Sequence, residues 1–295
     1  MLRYSIIIPH KNSLDFLQIA VNSIPDRSDL EIIIVDNSTE VSSQLIKTKF
    51  ATNKRIHILF SDSGKGAGHA RNIGLRQAQG KWLLFLDCDD IFIDGAFLEF
   101  DRWVNSNCDI IYFKVNSTTL DSVSVSERHI GSNNLVSDFL ENKLDSSDRL
   151  RYYFITPWGK LIRRELIKSN NILFDEVPAS NDLMFSVKSG HLAKNIDASN
   201  HQVYCVTESG NSLTKIKSRK NQRSRFNIAI EQFKYMSAIG KNKYRFRLLP
   251  MLLESFDFDL KEFVIRLGII IKNRINIFSG SKIYFNRILK KLGLG

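Results

Sequence analysis

Apolar residues open this chain in short runs separated by polar segments of helical period. Tyr4-Ser-Ile-Ile-Ile8 predicts a first strand, ending at Pro9. Ser13 can cap a helix that carries Leu14, Leu17, Ala20 and Val21 on one face. Glu31–Asp36 and Arg55–Phe60 predict the second and third strands. A turn with Gly64, Gly66 and Gly68 leads into a helix through Ala70, Ile73, Leu75 and Ala78, and Trp82–Leu86 predicts a fourth strand. Strands apolar on both faces, alternating with helices, predict an α/β fold with a mostly parallel central sheet covered by helices on both sides. Ligands of such sheets bind beyond the carboxyl ends of the strands, where this chain places Asp36, Asp62 and Asp87.

Further along, residues 95–116 predict a helix and then a fifth strand, Ile110–Phe113. Residues 117–150 are rich in Ser, Asn and Asp and read as an insertion. Leu161–Ser169 is expected to be helical, a further helix follows Asn181, and Gln202–Val206 reads as a strand. From Lys217 the pattern is helical, with Leu267, Ile271, Ile275 and Phe278 on one face. No internal repeat is visible. The expected division is a domain over 1–215, with halves at about 1–115 and 150–215, followed by a basic helical region over 216–295.

Charge sharpens that division. Residues 1–216 hold 24 Lys and Arg against 26 Asp and Glu; residues 217–295 hold 18 against 5. The basic excess of the chain, +11 overall, sits in its last quarter, which points to an anionic partner there: a membrane surface, a phosphate-bearing substrate or nucleic acid. A solvated helical face is the plain alternative. With 43% hydrophobic and 25% charged residues the 295-residue chain is expected to be globular. Its three cysteines form no CxxC pair, so neither structural zinc nor a disulfide framework is expected, and a reducing compartment fits. No apolar run approaches the ~20 residues of a membrane span, and Ile6–Ile8 is too short for a signal peptide. A cytosolic or peripheral protein is expected.

The sharpest chemical signal is Leu84-Phe-Leu-Asp-Cys-Asp-Asp90, an apolar strand running into carboxylates. In extended backbone Asp87 and Asp89 would project to one side, a pair suited to Mg²⁺ or Mn²⁺ shared with a diphosphate. A helix N-cap with acidic first-turn residues is the alternative. Asp36 ends the buried strand Ile32–Val35, where a carboxylate can read N–H or O–H groups of a base or ribose; a turn-forming Asp-Asn is its bland counterpart. Gly66-Ala-Gly-His-Ala-Arg-Asn72 fits neither the dinucleotide fingerprint nor a Walker loop, yet Arg71 early in a helix favours phosphate.

Taken together, Ser5-Ile-Ile-Ile-Pro9, Ile34-Val-Asp-Asn37, Ala70-Arg-Asn-Ile-Gly74 and Phe85-Leu-Asp-Cys-Asp-Asp90 resemble the nucleotide-sugar half of family 2 glycosyltransferases of GT-A fold. Thr156-Pro-Trp-Gly-Lys-Leu161, Arg163-Arg-Glu-Leu-Ile167, Phe174-Asp-Glu176 and Asn181-Asp-Leu-Met-Phe185 resemble that family's acceptor side, so the likeness covers about 3–215. The resemblance implies a uracil-binding Asp36, Arg71 near the nucleotide, Asp87 near ribose and metal, Asp89 as metal ligand and Asp182 as catalytic base. The family's Glu-Asp pair is here Asn181-Asp182, one carboxylate fewer; an N-cap Asn with a first-turn Asp is the structural alternative. Trp158 could stack on an acceptor sugar or be a core aromatic. Gln222-Arg-Ser-Arg-Phe226 resembles the Gln-x-x-Arg-Trp motif of processive synthases, with Phe for Trp. Lys215, Lys217 and Arg219 are placed near the diphosphate by charge and order alone.

The resemblance implies an inverting transfer of a hexose, glucose or galactose favoured, from a UDP-sugar to a hydroxyl of an acceptor glycan, with Mn²⁺ or Mg²⁺. The expected acceptor is a lipid-linked oligosaccharide, GlcNAc on undecaprenyl diphosphate, joined β-1,3 in O-antigen or capsule synthesis. The enzyme would be peripheral on the inner face of the bacterial cytoplasmic membrane, its basic tail on the anionic membrane surface, with no nucleic acid as partner. The competing readings are a nucleotidyltransferase, which would want a basic glycine-rich loop where Pro9-His-Lys-Asn12 stands, and a non-enzymatic basic nucleic-acid-binding protein.

Overall fold

In the computed structural model, residues 2–38, 40–61, 64–119, 126–208 and 218–276 are described; Asp62, Lys215, Lys217 and Phe278 lie outside them. The chain divides into two compact units, 1–216 and 217–295.

The first unit begins β1 (Tyr4–His10), α1 (Leu14–Asn22), β2 (Leu30–Asp36), α2 (Glu40–Phe50), β3 (Ile56–Phe60), α3 (Gly66–Gln77), β4 (Trp82–Phe85), β5 (Ile91–Phe92) and α4 (Ala96–Trp103). It continues with β6 (Ile110–Thr119), α5 (Ile130–Leu140), α6 (Ser146–Tyr153), β7 (Lys160–Arg163), α7 (Arg164–Ser169), α8 (Leu183–Leu192) and β8 (Ile196–Glu208). The strands form one eight-stranded sheet in the order β3-β2-β1-β4-β7-β6-β8-β5. The first four pair in parallel, as their double-sided apolar runs require. β6 and β8 also pair in parallel, whereas β7 is antiparallel to both β4 and β6, and β5 is antiparallel to β8. The sheet is mixed, but four of its seven pairings are parallel, so it is mostly rather than purely parallel.

Several boundaries also differ from the sequence reading. β1 runs through Pro9 to His10. The carbonyls of Arg3 and Ile7 accept from Trp82 and Leu86 of the β4 side, so the odd-numbered residues of β1 face β4. That ladder ends at the Ile7–Phe85 pair, so the N–H that Pro9 lacks is not needed. Ser13 holds the N-cap position of α1, but its hydroxyl turns back to the Lys11 carbonyl and makes no cap bond. Leu161–Ser169 is not one helix; Lys160–Arg163 is a strand between β4 and β6, a short apolar run that periodicity alone cannot assign. Nor are residues 117–150 a loose insertion: β6 continues to Thr119, and α5 and α6 bury Leu135, Val136, Leu150 and Tyr152.

The second unit holds α9 (Arg219–Ala238), α10 (Leu248–Leu253) and α11 (Leu260–Lys272) around Phe226, Ile230, Leu248, Leu252 and Ile270. Phe226 is fully buried there, and Arg223 pairs with Glu262 at 2.7 Å. Gln222–Phe226 thus supplies packing within this unit. Arg219 pairs with Asp259 at 2.7 Å. The face expected to carry Leu267, Ile271 and Ile275 is partly core: Leu267 and Ile275 pack inward and only Ile271 is exposed. Arg266, although one of this unit's basic residues, is buried against Glu262 (3.2 Å) and the Met251 carbonyl (2.7 Å). No helix among the described residues is long and apolar enough to cross a membrane.

Candidate active site

The carboxyl ends of β1, β2 and β4 bring His10, Asp36 and the Asp87–Asp90 segment to one edge of the sheet. Asp36 is buried and saturated. Its Oδ1 accepts from His10 Nδ1 (2.8 Å) and Ser38 Oγ (2.5 Å), and its Oδ2 accepts from Ser43 Oγ (2.5 Å). The Ser13 backbone N–H donates to His10 Nε2 at 3.0 Å, so the ring proton sits on Nδ1 and points at Asp36. Burial works to raise the Asp36 pKa, but the three donors outweigh it and hold the carboxyl below its usual range. Beside it opens a cavity of about 680 Å³ lined by Asp36, Ser38, Ser43, Lys47, Phe60 and Ser61, the size of a small-ligand site, which runs to ~300–1,000 Å³.

Past β4 the chain turns rather than staying extended: the Asp90 N–H donates to the Asp87 carbonyl at 3.0 Å. The turn gives the three carboxylates different fates. Asp90 is buried, accepting from Tyr204 Oη and the Thr207 N–H, each at 2.7 Å. Tyr204 Oη also accepts from the Asp87 N–H at 3.1 Å, tying the turn to β8. Burial, then the charges of Asp87 and Asp89, push the Asp90 carboxyl well up. Asp87 accepts from Arg71 Nη2 at 2.5 Å. Asp89 is exposed, and partial desolvation, then the charge of Asp87, raise its pKa.

Arg71 joins the two halves of the site. Its guanidinium is buried, donates to Asp87 and to Asn181 Oδ1 (2.7 Å), and lies 5.4 Å from the Phe174 ring centre. Burial opposes its charge, but Asp87 and Asp182 hold it firmly protonated. Asn72 clasps the Phe174 backbone from the same helix: Nδ2 donates to the carbonyl (3.0 Å) and Oδ1 accepts from the N–H (2.8 Å). Gly68 permits this approach, since a Cβ there would lie 2.1 Å from the Asp175 carbonyl oxygen.

Asp182, not Asn181, occupies the N-cap position of α8, and its side chain makes no cap bond. Its carboxylate is therefore not spent on the helix. Burial raises its pKa, Arg71 and Lys160 pull it down, and Asp87 pushes it up. Lys160 was not singled out from the sequence, although a lysine opening the apolar run Lys-Leu-Ile of β7 is a signal. It is buried, donates to the Phe154 carbonyl at 2.7 Å, and lies over the rings of Tyr112 and Phe154. Burial brings its pKa down to about 7, with Asp182 pulling the other way. In the unfolded chain the lysine holds its proton to a far higher pH, so the unfolded state binds more protons between pH 7 and 10 and stability rises with pH there. Relative to Lys160→Met, the wild type should gain stability on the order of a few kcal/mol between pH 7 and pH 10. Denaturant midpoints at the two pH values check this; parallel midpoints would show that Lys160 is not buried as a titrating group.

Trp158 is only 5% exposed; it stacks on Tyr204 at 5.4 Å and 13° and meets Phe154 edge-on. That burial leaves the ring little surface to offer an acceptor sugar. His10, Ser43 and Tyr204 were likewise not singled out. Ser43 and Tyr204 carry no local pattern that marks them.

The profile of "Glycosyl transferase family 2" matches residues 5–170. "Uncharacterized glycosyltransferase EpsJ" of Bacillus subtilis is 28% identical over 218 residues, 72% of this chain and 63% of that protein. "Poly(ribitol-phosphate) beta-N-acetylglucosaminyltransferase TarS" of Staphylococcus aureus is 26% identical over 212 residues, 69% of this chain but 35% of TarS. The chain thus spans less than two thirds of either relative. The crystal structure of S. aureus TarS 1–349 with UDP-GlcNAc superposes with a TM-score of 0.70 at 20% identity, covering 92% of this chain and 81% of that one. The mannosyltransferase PcManGT of Pyrobaculum calidifontis, solved with GDP-Man and Mn²⁺, superposes at 0.52 and 13% identity, covering 97% and 80%.

Proposed function

The chain belongs to glycosyl transferase family 2, and from that premise we propose that it transfers a hexose from a UDP-sugar to an acceptor hydroxyl with inversion at the anomeric carbon. The observation that carries the reading is the joining of the two halves by Arg71, which bonds Asp87 on the nucleotide side and Asn181, neighbour of Asp182, on the acceptor side. The nucleobase would occupy the cavity beside Asp36, whose size and polar rim suit it. Asp182 is the base: an uncapped, half-buried carboxylate with a raised pKa, suited to take the acceptor's proton as the oxygen attacks. Arg71 faces charge building on the leaving diphosphate.

Asp87 and Asp89 would hold Mn²⁺ or Mg²⁺. The fit rests on donor chemistry, hard carboxylate oxygens with one of them exposed. No group of three or more His, Cys, Asp or Glu side chains among the described residues could hold an ion, so the diphosphate oxygens would complete the site. A divalent ion bound there would supply electrophilic stabilisation of the leaving diphosphate.

For the acceptor we propose a lipid-linked GlcNAc extended by a β-1,3 bond in surface-polysaccharide synthesis, at the inner face of the bacterial cytoplasmic membrane. The basic second unit supports a phosphate-bearing acceptor at an anionic surface. The poly(ribitol-phosphate) acceptor in the name of TarS favours a second reading, a phosphate-bearing polymer. A screen separates them. Purified protein, Mn²⁺ and each UDP-sugar are incubated with a GlcNAc-diphospho-lipid or a polyol-phosphate polymer, and UDP release is recorded. One UDP-hexose with the lipid acceptor is the expected productive pair. Release from no UDP-sugar with either acceptor would overturn the donor class.

A further inference from the structure

The second unit contains a basic pocket whose lining includes none of the residues assigned to the reaction above. It has a volume of about 440 Å³ and lies between the end of α9 and the residues that follow α11. Phe233, Lys234 and Ser237 form one wall; Arg245, Asn273 and Arg274 contribute to the other. The cations are not there merely to cap two helix ends. The carbonyls that close α11 already accept from the backbone N–H groups of Asn273, Arg274 and Ile275, and those closing α9 from Ile239, Gly240 and Lys241. Arg245 is anchored on the Asn242 carbonyl (3.1 Å) and over the Phe233 ring (4.4 Å), which fixes its charge beside the pocket. Among the described residues, Lys234 pairs with Glu231 at 3.3 Å. Asp259 and Glu262 are committed to Arg219, Arg223 and Arg266.

The helix that ends at the pocket, α11, also presents apolar side chains to solvent. Leu260, Val264 and Ile271 are 66%, 58% and 66% exposed. At ~100° per residue they fall within about 40° of one another around the helix. This line replaces the one expected from sequence, because Leu267 and Ile275 turn inward. A helix with such a line and cations at its end is built to lie in a membrane interface.

We propose that this pocket takes the phosphate of an anionic lipid headgroup, with Leu260, Val264 and Ile271 entering the acyl boundary. The inference rests on the membrane-surface reading above and gives it a specific site. Charge selects the occupant: the unit carries 18 basic against 5 acidic residues, matching an anionic leaflet. Free phosphate would explain the cations but not the exposed apolar line.

Full-length protein is sedimented at low salt with vesicles of phosphatidylcholine alone or mixed with phosphatidylglycerol. The wild type should bind only the mixed vesicles. The Lys234→Gln/Arg274→Asn double variant should lose about 30-fold in partitioning, from two neutralised charges near the surface. Ile271→Ser, with the charges intact, should also weaken binding. The control pair Lys220→Gln/Lys261→Gln removes the same charge outside the pocket and should lose several-fold less than the pocket pair, because neither lysine lines the pocket. Equal losses in both pairs would mean diffuse attraction and overturn the pocket while leaving membrane contact standing. A wild type that ignores the mixed vesicles would overturn both. Retained vesicle binding in the pocket pair, with loss of inorganic phosphate binding by calorimetry, would assign the pocket to free phosphate and overturn the lipid. UDP release with a soluble acceptor, measured without vesicles, reports on the transferase reading independently.

Discussion

Asp182→Asn should lower turnover by about 10²–10⁴-fold, the usual contribution of a general base, while UDP binding stays within a factor of a few. The substitution is nearly isosteric and spares the fold, because the Asp182 side chain makes no cap bond to α8. The acidic limb of the rate profile gives a second readout. Burial raises the Asp182 pKa, so activity should be lost as pH falls through a value above that of an ordinary aspartate, and the variant's residual rate should lack that limb. UDP release from pH 5 to 8 and calorimetric UDP binding check both. A variant turning over at near wild-type rate would move the role to another carboxylate, with Asp175 and Glu176 next in line.

Asp89→Ala should abolish metal-dependent transfer, a loss of at least about 10²-fold, since a bound divalent ion contributes several kcal/mol to stabilising developing charge. Stability should hardly change, because Asp89 is exposed and removing it relieves repulsion from Asp87. Wild-type enzyme in excess EDTA should fall to the same residual rate, and manganese should restore the wild type but not the variant. Full wild-type activity in EDTA would remove the metal from the mechanism. Asp90 would be a misleading target here: its carboxylate holds Tyr204 and the Thr207 N–H, so its loss would be felt in the packing of β8.

Much of the nucleotide-side architecture was legible in the order of residues. Ile6–Ile8, Ile32–Val35 and Trp82–Phe85 are apolar on both faces, and a strand buried on both faces belongs inside a sheet covered by helices on both sides. That pattern alone places Asp36 and Asp87 at strand ends. The acceptor side was harder to read. Lys160–Arg163 is four residues long, too short to reveal a period, and it became a strand because β4 and β6 left an antiparallel slot between them. Lys-Leu-Ile-Arg alone carries no trace of that slot.

By itself, the sequence determined the elements whose period or double-sided burial is local, the family resemblance, and the concentration of positive charge after residue 217. The tertiary structure decided what each charge is for. It buried Arg266 against Glu262 and left Leu260, Val264 and Ile271 in solvent. It turned the Asp87–Asp90 segment so that three adjacent carboxylates face an arginine, the solvent and a tyrosine. It carried Arg71 to Asn181, 110 residues away in the chain. Local pattern follows from backbone geometry and the removal of apolar surface from water, which neighbouring residues feel together. The environment of a charge depends on partners and burial supplied by distant segments, and only the folded chain brings those together.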